Sequence, residues 1–146
     1  MALATGWAPP ITDLISMTPL GQRVAVIVPA PGGESVPGPA EVDSISISRR
    51  VDGNTVFRDW YNKTFPAEAR TPRQGRVRTA PAAGSVTYTG ATLLFNDERP
   101  GGAQFAIVMR NAWAHDYRIE FVLDGSGVVQ AVETLGITME RWRRMD

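Results

Sequence analysis

Apolar and polar residues alternate with a period of two along much of the sequence. Between residues 42 and 49, for instance, Ile45 and Ile47 alternate with serines. This period is typical of strands that bury one face, because successive side chains of a strand point to opposite sides. The predicted strands are 23–28, 42–49, 85–88, 91–95, 104–112, 117–124 and 128–142.

A different spacing, i, i+3, i+4 and i+7, predicts one helix over residues 55–64. Asp52 or Asn54 supplies its N-cap, and Pro66 ends it. Six or seven strands with one helix predict a mainly β fold, an antiparallel β-barrel or sandwich with one flanking α-helix. The apolar face of the helix consists of Phe57, Trp60, Tyr61 and Thr64.

Prolines and glycines separate these elements without dividing the chain into domains. The 146 residues suffice for one domain of ordinary size, so 1–146 is predicted to be a single domain. Residues 1–20 are predicted to form an N-terminal arm and not a regular element, since two consecutive prolines disfavour a helix there. Within this arm, residues 11–17 are compatible with a short helical turn or a strand. Residues 29–40 and 66–84 have the composition of long loops.

Composition excludes several classes of protein. Fifteen basic and fifteen acidic residues balance, which excludes the strong positive field of a general nucleic-acid binder. Cysteine is absent, so disulfides, thiolate metal sites and cysteine nucleophiles are excluded. No apolar run approaches the roughly 18 residues of a membrane-spanning helix, and residues 1–7 lack the pattern of a secretory signal.

Few residues suggest chemistry. His115 adjoins Asp116, but neighbours along a strand point to opposite faces, so His115 is interpreted as a structural or surface residue. Paired carboxylates fall in predicted turns, and no phosphate-binding glycine motif occurs. Four arginines between 70 and 78 are open to three interpretations: a contact with a phosphate backbone, a subunit contact or a solvated loop, of which the last two are favoured. No catalytic, cofactor-binding or metal-ligating residue is predicted.

The last predicted strand is the candidate surface for self-assembly. Residues 128–142 span about 50 Å at about 3.3 Å per residue, more than a domain of this size needs to cover its core. A long exposed edge is an aggregation hazard unless a strand covers it, and a second copy of the chain can do so. Trp142 lies among arginines near the end of this strand, which favours a role as a subunit anchor.

Five segments, in this order, carry a resemblance to a known family. They are Asp43–Arg49, Thr55–Lys63, Ala91–Glu98, Phe105–Trp113 and Val132–Trp142. Together they resemble the tail tube protein family of T4-type contractile phages and related contractile injection systems. That family has a strand with a following basic residue, a Trp-bearing helix, a strand ending in an acidic turn, and a final strand of the form E-T-L-x-(I/L). The match covers a little over half of the chain.

The resemblance implies a structural role without catalysis. Six copies are expected to join into a hexameric ring, and stacked rings to form an inner tube whose lumen passes DNA in a phage or protein effectors in an injection system. The implied partners are further copies of the chain, a sheath, baseplate or spike proteins, and a terminator, with no cofactor and no membrane. The implied location is a virion tail or injection particle assembled in the bacterial cytoplasm.

The resemblance also implies which parts contact other subunits. Stacking contacts are expected from the arm 1–20 and from the loops 29–40 and 66–84. Ring contacts are expected from the strand 128–142 and the strand before it. The interface residues implied are Arg118, Glu120, Glu133, Arg141 and Trp142.

Three further interpretations stay open. The single short strand before residue 29 and the long segment 65–90 depart from the family, which favours a tube-like ring at the baseplate or terminator end of the same machine. A monomeric β-barrel that binds a small ligand needs a concave apolar pocket. The third is a β-rich enzyme whose site is shared between subunits. A mass of 15.9 kDa in solution would favour the monomeric ligand-binding barrel. Rings or tubes seen by electron microscopy would favour the tube-protein interpretation.

Overall fold

The computed structural model describes residues 1–64 and 89–146. These residues are mainly β with one helix, which confirms the predicted fold class; the predicted loop 66–84 and strand 85–88 lie outside the described residues. The helix is α1 (Val56–Thr64), and the strands are β1 (Ala2–Ala4), β2 (Leu14–Met17), β3 (Gln22–Ile27), β4 (Val36–Val42), β5 (Ile45–Arg50), β6 (Thr89–Asn96), β7 (Gln104–Leu123), β8 (Val129–Thr138) and β9 (Arg141–Met145).

Seven strands form one antiparallel sheet in the order β1-β6-β7-β8-β5-β2, with β9 also beside β7. β3 and β4 form a separate hairpin. The long strand β7 has two parts: residues 104–112 pair with β6 and β9, and residues 113–123 pair with β8. We call β1, β6, β9 and the first part of β7 the first half-sheet. The second part of β7, with β8, β5 and β2, is the second half-sheet.

Two irregularities in the middle of β7 let it serve both half-sheets. Asn111 has a φ of +50°, a left-handed conformation that Asn adopts more readily than most residues. The register with β8 then shifts between Ala114 and Asp116. Buried side chains of β7 lie at odd-numbered positions before Asn111 and at even-numbered positions directly after it. The prediction of two separate strands, 104–112 and 117–124, is therefore wrong, because a single strand runs through both.

One hydrophobic core joins both half-sheets and α1. Ile45 and Ile47, which alternate with serines along β5, are fully buried, as the sequence predicts. They pack in the same cluster as Leu93 and Ile107 of the first half-sheet. The two half-sheets therefore lie on either side of a shared apolar interior.

The helix lies where its period predicts. The N–H of Val56 donates to Oδ1 of Asn54 at 3.0 Å, so Asn54 is the N-cap. Phe57 and Trp60, on the predicted apolar face, are completely buried. α1 packs mainly against β7, and so closes the core over the shared strand.

The prediction that the first 20 residues form an arm without a regular element is wrong, whereas the strand considered for residues 11–17 is present as β2. β1 pairs with β6 and β2 pairs with β5. Leu3 and Ile11 exchange backbone hydrogen bonds of 2.8 and 2.9 Å, and both side chains are buried. The N-terminal segment is therefore part of the core. The sequence does not show this, because the partners of these strands lie far along the chain and a local pattern does not identify them.

Residues 29–40 are only partly a loop, which corrects the sequence prediction. Residues 36–40 belong to β4 and pair with β3. Prolines are tolerated in this strand because it lies at an edge of a two-stranded hairpin. The tip turns at Gly32, where φ is +77°, and the N–H of Gly33 donates to the carbonyl of Ala30 at 2.9 Å.

The predicted strand 128–142 is two strands, β8 and β9, with a break at 139–140. β8 pairs with β7 on one side and with β5 on the other. It is therefore a central strand, and the prediction that it presents a free edge is wrong. Its length serves pairing within the subunit, since β7 is longer still.

A buried arginine connects the second half-sheet to its surroundings. Arg49 of β5 is 2% exposed. It donates to Oε1 of Glu133 on β8 at 2.7 Å. It also binds both carboxylate oxygens of Asp13, at 3.1 and 2.8 Å, and both of Asp52, at 3.0 Å each. These bonds hold β8, the segment before β2 and the loop before α1 to one side chain.

The charges in this network shift one another. The hydrogen bonds that Arg49 donates to Asp13 are the largest cause that raises the pKa of Arg49 above its ordinary value, so the guanidinium stays charged although it is buried. The N–H of Asn54 and then the guanidinium of Arg49 lower the pKa of Asp52. Charge-assisted hydrogen bonds of this kind are stronger than neutral ones.

Tyr117 extends the network to β7. Its hydroxyl donates to Oε2 of Glu133 at 2.8 Å, and its ring stacks on Tyr61 of α1 with centroids 6.1 Å apart. Burial, and then the hydrogen bond to Glu133, raise the pKa of Tyr117 to about 12. The carboxylate of Glu133 is therefore bound by a cation on one oxygen and by a hydroxyl on the other.

Replacement of Arg49 by alanine is expected to lower the free energy of unfolding by about 3–5 kcal/mol, because Glu133 is left buried without a cation. Urea denaturation measures this difference. Arg50→Ala is the matched control: Arg50 is exposed and has no ion pair within the described chain, so we expect a change within about 0.5 kcal/mol. Equal effects of the two substitutions would contradict the assigned role of Arg49.

Tyr117→Phe is expected to change how stability depends on alkaline pH. The unfolded tyrosine loses its proton near pH 10 and the folded one near pH 12, so wild-type stability falls as pH rises from about 10 to about 12. The variant lacks this decrease. Urea midpoints of both proteins at pH 8 to 11.5 should therefore converge above pH 10, whereas curves that stay parallel would contradict the raised pKa.

Candidate assembly surface

The second part of β7 has an uncovered edge. β6 and β9 flank β7 on opposite sides before Trp113. β8 lies on the same side of β7 as β9, because its pairing with Trp113 and Ala114 continues the register of β9. The side of residues 113–123 opposite β8 therefore has no partner strand among the described residues. Its backbone N–H and C=O groups can pair with another chain.

β2 forms the other uncovered edge of the second half-sheet, since within 1–64 and 89–146 it pairs with β5 alone. The registers set the two edges at the same height. Met17, Ile47, Leu135 and Tyr117 form one row across the four strands, and the next row on the same face consists of Leu14, Arg49, Glu133 and Ile119.

The residues that the resemblance implies for ring contacts lie in different environments. Arg118 and Glu120 are exposed on the uncovered part of β7. Arg141 is exposed on β9, while Trp142 beside it packs partly against the core. Glu133 is 2% exposed and binds Arg49 and Tyr117 of its own chain. The subunit thus brings Arg118 and Glu120 together at one edge, Arg141 and Trp142 at another, and holds Glu133 in its interior.

The end of the β7–β8 hairpin is apolar and exposed, which its sequence pattern does not reveal. Tyr117 lies over the core, but Phe121 and Leu123 on the same face are 74% and 69% exposed. Their partners across the strand pair, Ala131 and Val129, extend this surface. Contiguous exposed apolar surface marks an interaction site. The end of the hairpin therefore extends beyond the core of its own domain, and another molecule can cover its apolar face.

The opposite face of the second half-sheet is polar. Ser48 and Thr134 share a hydrogen bond of 2.9 Å across β5 and β8, and Ser44 and Thr138 share one of 3.1 Å. Thr138 also bonds Nδ1 of His115 at 2.9 Å, so His115 is part of this polar surface. These hydroxyls face away from the core, since they alternate with buried positions.

The β3–β4 hairpin is a second apolar projection. Val24, Val26, Val28 and Val36 are between 43% and 73% exposed. The base of the hairpin is fixed by Arg23, which binds Asp43 at 2.8 Å. The predicted stacking loop 29–40 is thus the outer part of an apolar hairpin that remains exposed in the part of the chain that the structure describes.

Sequence reasoning missed one basic cluster. The register sets Arg110 of β7 directly opposite Arg141 of β9, and Arg143 two residues further along the same face. The only sequence signal was the density of arginine after Met139, and it does not identify Arg110, which lies on a different strand. Like charges directly opposite one another destabilise a strand pair, so this arrangement calls for an anionic partner.

The described residues contain neither a metal-binding cluster nor a membrane-spanning helix. Within residues 1–64 and 89–146, no group of three or more His, Asp or Glu side chains is arranged to hold a metal ion. The one described helix is too short to cross a membrane.

Neither a protein-family model nor a curated protein sequence matches the chain. Solved structures do resemble it. The sheath/tube terminator of the extracellular contractile injection system PVC in its extended state matches with a TM-score of 0.66 at 16% identity, over 99% of this chain and 92% of the other. The PVC sheath-tube complex in the extended state matches with 0.62 at 14% identity, over 99% and 86%.

The six-fold symmetrised baseplate of the anti-feeding prophage matches with a TM-score of 0.64 at 12% identity, over 99% of this chain and 89% of the other. At these identities the shared feature is the fold. The resemblance to tail tube proteins inferred from the sequence is thereby confirmed at the level of the fold: the chain has the tube-protein fold found in contractile injection systems.

Proposed function

We propose that this protein is a structural subunit of the inner tube of a contractile injection system or contractile phage tail, and that six copies close into a ring. The observation that carries the proposal is the second half-sheet: among the described residues it has an unpaired edge at each end, β7 and β2, at the same height. The fold shared with tube, terminator and baseplate structures supports it.

Edge-to-edge pairing between copies preserves the antiparallel pattern. Across the second half-sheet, β7, β8, β5 and β2 alternate in direction, so β7 and β2 run in opposite directions. Rotation about an axis along the strands leaves their directions unchanged. β2 of one copy therefore runs antiparallel to β7 of the next, and each contact covers two edges that are otherwise exposed.

The size of such a ring decides which face lines the lumen. Six four-stranded sheets with strands about 4.8 Å apart make a cylinder about 37 Å across. Six domains of 15.9 kDa do not fit inside it, so the core and the first half-sheet lie outside. The polar face of the second half-sheet, with Ser48, Thr134 and Thr138, then faces the lumen.

The charges on that face nearly balance. Arg118 lies 3.4 Å from Asp116, and Glu120 and Arg50 add one charge of each sign. A hydroxyl-rich wall with balanced charge binds passing cargo weakly, which suits a conduit for DNA or for protein effectors. In this proposal the protein does no catalysis and uses no cofactor.

The remaining partners follow from the position of the ring. Stacked rings contact a sheath on the outside, and baseplate or spike proteins and a terminator at the ends, in a particle assembled in the bacterial cytoplasm. The resembling structures include a terminator and a baseplate as well as a sheath-tube complex. A ring at one end of the machine is therefore the second candidate, and it uses the same edges.

Wild-type protein is expected to form rings in negative-stain electron microscopy, with a mass of six times 15.9 kDa or multiples of it by light scattering. The reason is that neither edge of the second half-sheet has a partner strand among the described residues, so another copy can pair with each. A protein that stays a 15.9 kDa monomer at every concentration tested would contradict the proposal and favour a monomeric ligand-binding domain.

Proline substitutions at Ile119 and Glu120, made one at a time, test the β7 edge. Neighbouring N–H groups of a strand point to opposite sides, so one proline removes a bond to β8 and the other a bond at the uncovered edge. We expect one variant to lose stability in urea and the other to stay folded but monomeric. Wild-type rings from the folded variant would exclude this edge from the ring contact.

A further inference from the structure

A cavity of about 710 Å³ lies beside β7 and β9, on the first half-sheet. Its lining includes Val108, Met109 and Trp142, together with three arginines, Arg110, Arg141 and Arg143. The volume lies within the range of about 300–1,000 Å³ that is typical of binding pockets. We call it the arginine pocket.

The arginine pocket concentrates positive charge that no carboxylate of residues 1–64 or 89–146 neutralises. Of the ten arginines in the described residues, six have an ion pair with a carboxylate. Three of the four without one line this pocket, and the fourth is Arg50. The nearest carboxylate along the chain, Glu140, accepts a hydrogen bond from Asn111. A pocket with guanidinium donors and an apolar wall is suited to a carboxylate carried on an apolar segment.

The chain itself contains such a segment. Between Val24 and Ala40 the only charged residue is Glu34, at the tip of the β3–β4 hairpin. Glu34 is exposed and has no ion pair within the described parts of the chain. When the apolar hairpin packs against another surface, its one carboxylate loses water, which is costly unless a cation replaces it.

The tip does not reach the pocket of its own subunit. The base of the hairpin, at Gln22 and Val42, lines a second cavity together with Arg141 and Trp142. The six residues of β3 carry the tip about 20 Å away from that base. Base and pocket are neighbours, whereas tip and pocket are separated, so only another copy can bring a tip into this pocket.

We propose that the tip of the β3–β4 hairpin of one subunit docks in the arginine pocket of a neighbouring copy, where Glu34 binds Arg110, Arg141 and Arg143. This contact deepens the proposed function, on which it rests, because it requires that copies assemble. The contact joins two different surfaces, so each copy offers one tip and one pocket, and the contact repeats from copy to copy.

Charge exchange tests the pair. Glu34→Arg and Arg141→Glu are each expected to raise the protein concentration needed for half-assembly by about tenfold or more, because like charges then meet. The double variant is expected to return to within about threefold of wild type. Sedimentation velocity over a concentration series measures this. Glu98→Arg is the matched control, an exposed carboxylate without an ion pair among the described residues, and should assemble as wild type does.

Cross-linking supplies a second readout in a chain without cysteine. Glu34→Cys with Arg141→Cys, treated with a short bis-maleimide, should give a ladder of covalent oligomers on a denaturing gel. Glu98→Cys with Arg141→Cys should give little. Assembly of wild type with no ladder from the first pair, or with equal ladders from both pairs, would overturn the docking while leaving the ring intact. A wild type that never assembles would overturn both proposals.

Discussion

The ion pair between Arg49 and Glu133 is the constraint on which the second half-sheet depends. Both side chains are almost fully buried, and their bond joins adjacent strands at one row of the sheet. Burial of two charges is costly, so the pair persists only because every strong hydrogen-bonding group around it has a partner. Asp13 and Asp52 provide those partners from the segments before β2 and before α1. The same network that closes the interior thereby fixes the position of β2, the edge strand proposed to meet the next copy.

Strand β7 joins the two half-sheets and supplies the other edge at which another copy is proposed to pair. Its irregularities at Asn111 and Ala114 change which side chains face the core, so one strand passes from the first half-sheet to the second. The described part of β6 covers it as far as Ala112. Beyond that residue β7 pairs with β8 on one side and has no partner strand on the other within residues 1–64 and 89–146. The uncovered edge is therefore a direct result of how the strand is shared.

Much of the fold follows from local pattern, and the site does not. The helix and the strand with Ile45 and Ile47 are predictable because their periods report burial within a few residues. β1 and β2 are not, since their pairing partners lie far along the chain. Phe121 and Leu123 alternate as core residues do, and only the end of the core beneath them makes them exposed. The meeting of Arg110 with Arg141 depends on register between two strands, which no local pattern contains. The buried state of Arg49 likewise depends on Asp13 and Glu133, which come from opposite ends of the sequence.

The separation of hairpin tip from arginine pocket gives any chain of copies joined through them a polarity. At one end the last copy exposes an apolar hairpin with an unbound carboxylate, and at the other end it exposes an unoccupied cationic pocket. The two ends are therefore chemically different, and one terminating protein cannot cover both. The first end requires a protein with a basic pocket, and the second requires a protein with an acidic projection.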